Sequence, residues 1–418
     1  MRNRVVVTGY GVITPFGYGD SFIRSHVFEG RHAFSPVRSF DTRGTCAKWG
    51  AEAPIKERSY RAFNQYCLEQ ALSMSGLDPA VDRELLEDAV VAVGNLGEGN
   101  VLLPYYAQFQ TDEAAASANR EISGRDHEFQ TVHASEPLSI HDSIPSVHAD
   151  EIAARIGSSG SCVAFTNACV ASANAIGYGF DQIRNGRTNC AFVGGIHVLY
   201  PKNFYQFDSS RAMADHTVRP FSKGRTGLLI GDGAAILVLE NLDCALRRGA
   251  KPLAEIVGWG VSSDGFHVTQ PEPEGRGLAC AMETALRKAG LAPRDIDYVN
   301  AHGTGTPLND RCETKAYKRV FGDYAGQVPI SSTKSTTGHM LEATGAVEAI
   351  ISVISLLDQR IPPTANYEEQ EEGMDLDYVT EGARKLPLRT VMSNSSAFGG
   401  NNCSLIVQRG DWNVDSRA

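Results

Sequence analysis

Residues 162–195 read CVAFTNACVASANAIGYGFDQIRNGRTNCAFVGG. The run Val163–Thr166 is short, apolar and β-branched, so it predicts a strand. From Val170 to Asn185 small and apolar residues recur at helical spacing, and Cys190–Gly194 predicts the next strand. Strand, sharp turn, helix and strand is the unit of a layered α/β protein. The pattern extends in both directions. Val5–Thr8, Ala89–Val93 and Ala234–Glu240 predict strands in the first part. The second part starts again with Leu253–Ser262, then a helix Arg276–Ala289 ending at Gly290. Strand Tyr298–Ala301, helix Asp310–Phe321, strand Val328–Ser331 and helix Glu342–Leu357 follow, with strands Thr390–Ser395 and Cys403–Gln408 at the end. The two parts share element order but little visible sequence. No Pro- or Gly/Ser-rich linker separates them, so one compact unit is expected. The polar stretch from about 107 to 148 reads as a surface-lying insertion.

The chain has 418 residues, 42% of them hydrophobic, enough for a large core. Its net charge of −10 makes it a poor general binder of nucleic acid or anionic lipid. Nine scattered Cys without a CxxC pair read as reduced thiols, which points to the cytoplasm. The apolar run at the N-terminus is too short for a signal peptide. The run AVEAIISVISLL at 346–357 is too short to cross a bilayer and reads as a core helix.

Three residues stand where chemistry is expected. Cys169 follows a strand at a sharp turn and opens a helix, whose unpaired N–H groups favour a thiolate. Ala171, Ser172, Ala173 and Ala175 let that helix pack closely. His302 lies in YVNAHGTGTPLNDRCE, where a strand stops and Gly303 and Gly305 turn the chain. His339 lies in ISSTKSTTGHMLEATGAVEAI and repeats the theme of strand, polar turn with Lys334, and helix. Sites in open α/β sheets gather at strand carboxyl ends. A lone Cys is usually a buried thiol and a lone loop His usually a surface residue; three at strand ends shift the balance. No GxGxxG and no phosphate loop is present. His127, His133, His141 and His148 lack zinc-site spacing and read as solvated surface, and Glu368–Glu372 as a solvated loop.

Cys169 in its block, NAHGTGT around His302, STKSTTGHMLEATG around His339, RPFSKGRTGLLIGDGAAILVLE at 219–240 and the late NSSAFGGNN together resemble the β-ketoacyl-[acyl-carrier-protein] synthases of the type I/II class. The likeness runs through nearly the whole chain in family order. It implies a thiolase fold, with duplicated halves (1–252 carrying the Cys, 253–418 carrying both His) in a five-layer αβαβα sandwich. It implies acyl- and malonyl-loaded acyl carrier protein as partners, no cofactor and no metal. The assembly would be a homodimer or a heterodimer with a chain-length-factor-like subunit.

By the same resemblance Cys169 takes the acyl group and the backbone N–H groups of Cys169 and Phe398 form an oxyanion hole. His302 and His339 serve decarboxylation, and Lys334 holds an electrostatic network with Glu313. Thr304 and Thr306 line the extender's approach. Phe398 resembles a gating residue, with Gly399 giving it room. Departures exist: TNACVAS replaces a block closer to TACATG, the loop between Met213 and Arg219 is short, and Leu228 stands in place of a second gating aromatic. These lean towards specialised type II polyketide or polyene synthesis, with housekeeping fatty-acid elongation as the alternative. A thiolase would use a second Cys as base, but Cys403 reads as a strand residue. A chalcone-type enzyme would have Asn in the place of His339, and a non-catalytic chain-length subunit would lack Cys169.

Overall fold

The computed structural model describes residues 2–101 and 139–412. The first repeat of elements comprises β1 (Val5–Thr14), α1 (Tyr60–Ser75), β2 (Val90–Gly94), α2 (Pro145–Ile156), β3 (Cys162–Phe165), α3 (Ala171–Arg184), β4 (Cys190–His197) and β5 (Gly233–Asn241). The second comprises β6 (Ala254–Ser263), α4 (Arg276–Ala289), β7 (Tyr298–Asn300), α5 (Pro307–Phe321), β8 (Ile330–Ser331), α6 (Thr344–Asp358), β9 (Thr390–Ser396) and β10 (Asn401–Gln408).

The strands lie in the order β8-β7-β9-β10-β6-β1-β5-β4-β2-β3. Counted within its own repeat, each half therefore runs third, second, fourth, fifth, first. Directions repeat as well. β2 is parallel to β3 and β4, as β7 is to β8 and β9. β5 is antiparallel to β4 and β1, as β10 is to β9 and β6. The halves join where Val5–Val7 pairs antiparallel with Ala254–Ile256. The duplication that the sequence only hinted at is thus written in the topology.

Helices α3 and α6 pack on each other and touch strands of both halves. They form the middle layer; α1 and α2 cover one half-sheet and α4 and α5 the other. The chain adopts the five-layer αβαβα arrangement of the thiolase fold. The middle layer explains the composition of α6. Its Ile350, Ile351, Val353, Ile354 and Leu356 are all fully buried, because a helix between two sheets has no solvent face. Each such side chain contributes roughly 1.5–3 kcal/mol. The small residues of α3 do what their size allows: a Cβ on Gly345 would come within 2.8 Å of Ala173, and Ser172 Oγ accepts from Ala346 N–H at 3.0 Å. Among the described residues no helix is long and apolar enough to cross a membrane.

Several expectations need correction. β1 runs on through Gly9-Tyr10-Gly11 to Thr14, since a Cβ at Gly11 would sit 2.0 Å from the Cys67 carbonyl of α1. The chain from 145 to 156 is helix α2, started by Pro145 and ended at Gly157, not part of a surface insertion. His148 on its inner face is buried, with Nε2 3.1 Å from the Asp142 carbonyl, whereas His141 is exposed. His127, His133 and the stretch 107–138 lie outside the described residues. The acidic run is the solvated loop expected, with Glu368, Glu369 and Glu372 exposed, and it is also ion-paired: Glu368 with Arg219, Glu369 with Lys223, and Glu371 with Arg225 and Arg311.

Candidate active site

Three strand ends converge. β3 ends at Phe165, and the chain turns through Ala168, a non-glycine residue with φ of 57°, into a 3-10 turn Ala168–Val170 that carries Cys169. A left-handed Ala is strained by roughly 1–2 kcal/mol, and the turn holds it there. β8 ends at Ser331, followed by the turn Lys334–Thr337, then His339 and the start of α6. Cys169 and His339 thus occupy equivalent places in the two repeats, each ahead of a middle-layer helix. Since those helices pack together, the two side chains meet: His339 Nε2 lies 3.1 Å from Cys169 Sγ. His302 follows β7, and its ring stands 5.2 Å from that of His339, nearly perpendicular.

The electrostatics follow from burial. Cys169 is 7% exposed. Desolvation pushes its thiol up to about 12, with the Glu342 charge adding to the rise and Lys334 and the Cys169 N–H opposing it. Burial thus opposes the thiolate that the start of the helix favours. The proton must leave through a base, and His339 Nε2 is within reach. His339 Nδ1 meets Thr344 Oγ1 at 3.0 Å, so Nδ1–H can donate there and leave Nε2 free to accept. Both imidazoles are held well below the usual range, first by desolvation and then by Lys334, so both are neutral at ordinary pH.

Lys334 is buried, and its Nζ pairs with Glu348 Oε1 at 2.6 Å. Burial pushes the Glu348 carboxyl up to about 7, with Lys334 pulling it down. The direct partner of Lys334 is therefore Glu348 rather than Glu313. Glu313 is fully committed elsewhere. It accepts the N–H groups of His302 and Gly303 at 2.7 Å each, the Tyr317 hydroxyl, and Asn309 Nδ2 at 3.2 Å. It fixes the His302 backbone, while burial raises its carboxyl above the ordinary value. Glu348 was missed, although a lone carboxylate inside the apolar run AVEAII was a signal that it needed a partner.

Cys169, His302, His339, Thr304, Thr306, Leu228 and Phe398 all line one cavity of about 270 Å³. The Thr304 and Thr306 hydroxyls are 2.8 Å apart. Phe398 is 38% exposed and stacks on Phe207 with centroids 5.5 Å apart. Gly399, at φ 86°, donates its N–H to the Val268 carbonyl at 2.7 Å. Leu228 is buried in the apolar cluster that contains Cys169, Phe207 and Leu341. Among the described residues no group of His, Cys, Asp and Glu could hold a metal ion.

Residues 2–245 match the family model described as beta-ketoacyl synthase, N-terminal domain, and residues 253–368 match its C-terminal domain. The chain belongs to the β-ketoacyl synthase family. This synthase is 35% identical to the 3-oxoacyl-[acyl-carrier-protein] synthase 2 of Coxiella burnetii, over 98% of this chain and 99% of that one. The ishigamide ketosynthase/chain length factor superposes with a TM-score of 0.84 at 31% identity, covering 98% of this chain and 100% of that. A type II PKS acyl-carrier protein in complex with its ketosynthase gives 0.84 at 27% identity, with 98% and 100% covered. The protein is an acyltransferase of the condensing type, and the family reaction is a Claisen condensation. The curated relatives support the housekeeping elongating alternative better than the specialised expectation.

Proposed function

We propose that this synthase elongates acyl chains on acyl carrier protein, with Cys169 as nucleophile. The observation that carries the proposal is the 3.1 Å contact between Cys169 Sγ and the neutral His339, with His302 beside it in the same cavity. The thiol proton passes to His339 Nε2 as sulfur attacks the acyl thioester, and the departing pantetheine thiolate takes it back. Malonyl thioester then loses CO2. The enolate oxygen accepts from His302 and from His339 in the tautomer whose Nε2 carries the proton, the Thr344 hydroxyl then donating to Nδ1. The enolate carbon attacks the Cys169 thioester, and the tetrahedral oxyanion is held by the N–H groups of Cys169 and Phe398. Collapse expels the Cys169 thiolate and leaves a chain longer by two carbons. Lys334, paired with Glu348, keeps both imidazoles neutral, and Glu313 fixes His302. Thr304 and Thr306 receive the extender arm, and Phe398 with Gly399 gates it.

The partners are acyl- and malonyl-loaded carrier protein, and a second copy or a chain-length-factor-like subunit completes the assembly, in the cytoplasm. The relatives' carrier-protein complex and ketosynthase/chain-length-factor pairing support this. The division into 1–252 and 253–418 is supported by the repeat in strand order, which restarts at β6. Incubation with acyl-carrier proteins, followed by mass spectrometry, tests the proposal: the acyl group is expected on Cys169, and an adduct only on another Cys would overturn it. A second reading, specialised polyketide or polyene synthesis, is favoured by Leu228 in the chamber wall. It requires unsaturated primers to be extended at least as well as saturated ones, with Leu228→Phe lowering the unsaturated rate more.

A further inference from the structure

Arg211 follows the helix Pro201–Ser209, is exposed, and lines the same cavity as the buried Cys169. No other Arg and no Lys among the described residues lines it. The Arg211 backbone is left-handed, with φ of 57°, a strained conformation for any residue but glycine. Its surroundings hold it there. Arg211 N–H donates to the Asp208 carbonyl at 3.0 Å, and Leu228 N–H donates to the Ala212 carbonyl at 2.9 Å. Met213 and Leu228 form a parallel bridge, so one step back Ala212 stands against Gly227, and two steps back Arg211 stands against Thr226. The two segments touch so closely that a Cβ on Gly227 would lie 2.3 Å from the Ala212 carbonyl oxygen. Thr226 is exposed and lines the cavity too.

No carboxylate neutralises this guanidinium. Asp208, three residues earlier, accepts the backbone N–H groups of Cys46 and Ala47 at 3.0 and 2.8 Å. Asp264, the one carboxylate lining the cavity, accepts Asn402 Nδ2 at 2.7 Å and Glu272 N–H at 3.0 Å. Among the described residues Arg211 forms no ion pair, and its side chain meets only the Cys46 sulfur, a weak acceptor. A guanidinium has five N–H donors, so donors remain for a ligand.

We propose that Arg211, with the Thr226 hydroxyl beside it, binds the phosphate of the phosphopantetheine arm that brings acyl and malonyl groups to Cys169. The proposal rests on the reading of this cavity as the path of a carrier-borne thioester. With the thioester at Cys169, the far end of the arm lies at the exposed rim, and that end is a phosphate ester. Arg pairs with phosphate through two parallel N–H···O bonds, and a Thr hydroxyl can donate to a third oxygen. The arm fills the cavity while the folded body of the carrier stays outside, so a cation in the cavity wall meets the phosphate first.

Two thioethers that cannot acylate Cys169, S-methyl pantetheine and S-methyl phosphopantetheine, test this, with Kd read by ligand-observed NMR on the full chain. The phosphorylated one should bind about fivefold more tightly at low salt, the size of an exposed charged contact, and high salt should shrink that preference. Arg211→Gln should bring the ratio to about one, and Arg211→Lys should keep part of it. A wild-type ratio near one overturns the proposal, as does an Arg211→Gln ratio as high as that of wild type. If both thioethers bind alike while Arg211→Gln weakens acylation by carrier protein, Arg211 meets a carboxylate of the carrier instead, and the proposal fails. If Arg211→Gln does not fold, the wild-type salt series decides, and a preference unchanged by salt overturns it. Acylation is scored separately: the expected binding ratio in a protein never acylated at Cys169 removes the functional reading and leaves the phosphate site, whereas normal acylation with a ratio near one removes only the site.

Discussion

Glu313→Gln isolates how His302 is held. The carboxylate accepts four donors on two oxygens: His302 N–H and the Tyr317 hydroxyl on one, Gly303 N–H and Asn309 Nδ2 on the other. A Gln amide keeps one oxygen and turns an NH2 group, which cannot accept, towards the other two donors. The cheaper orientation keeps His302 and Tyr317 on the oxygen, because Asn309 is half-buried and can turn to water. Gly303 N–H is then orphaned in the interior, a cost of about 1–3 kcal/mol. Glu313→Ala orphans the donors on both sides, which doubles the loss to ~2–6 kcal/mol and adds a void. The displaced Gly303 moves the neighbouring imidazole, and a misplacement approaching 1 Å lowers a rate by up to about 100-fold. Urea denaturation reads the stability, release of CO2 from malonyl carrier protein reads the imidazole, and acylation of Cys169 should persist. A Glu313→Gln protein within about 0.5 kcal/mol of wild type, with normal CO2 release, would refute the reasoning.

Other consequences can be checked directly. Both imidazoles sit well below their usual range, so CO2 release should be flat from about pH 6 to 8. Lys334→Met removes a cation that disfavours imidazolium, so both values rise and activity should fall as pH drops through them; a profile as flat as wild type contradicts that role for Lys334. Ala168→Gly relieves a left-handed Ala by about 1 kcal/mol and should raise the urea midpoint, and a lower midpoint argues against strain at the turn. Cys169→Ala should abolish condensation, while His302→Ala still accepts an acyl group and His339→Ala, lacking the base for the thiol, accepts it more slowly; normal CO2 release in both His variants would remove them from decarboxylation.

Sequence by itself determined the α/β class, the strands and helices that flank the site, and the three residues at strand ends. Such information is local: an apolar run that stops at a Gly-flanked His or Cys marks its own place. Helix Arg276–Ala289, with Gly290 behind it, was legible to the residue for the same reason. What only tertiary structure decided depends on residues far apart in the chain. Lys334 takes Glu348 rather than Glu313 because four other donors, from a loop and from α5, already occupy the Glu313 oxygens. Cys169 rests as a thiol because five layers bury it beside Glu342, a desolvation that no local motif reports. His148 is inside because α2 packs on α1 and β3, although its polar surroundings in sequence read as solvent. The duplication, too, lives in strand order and direction. Those are set by which faces must be buried, so two halves can keep them with little sequence in common.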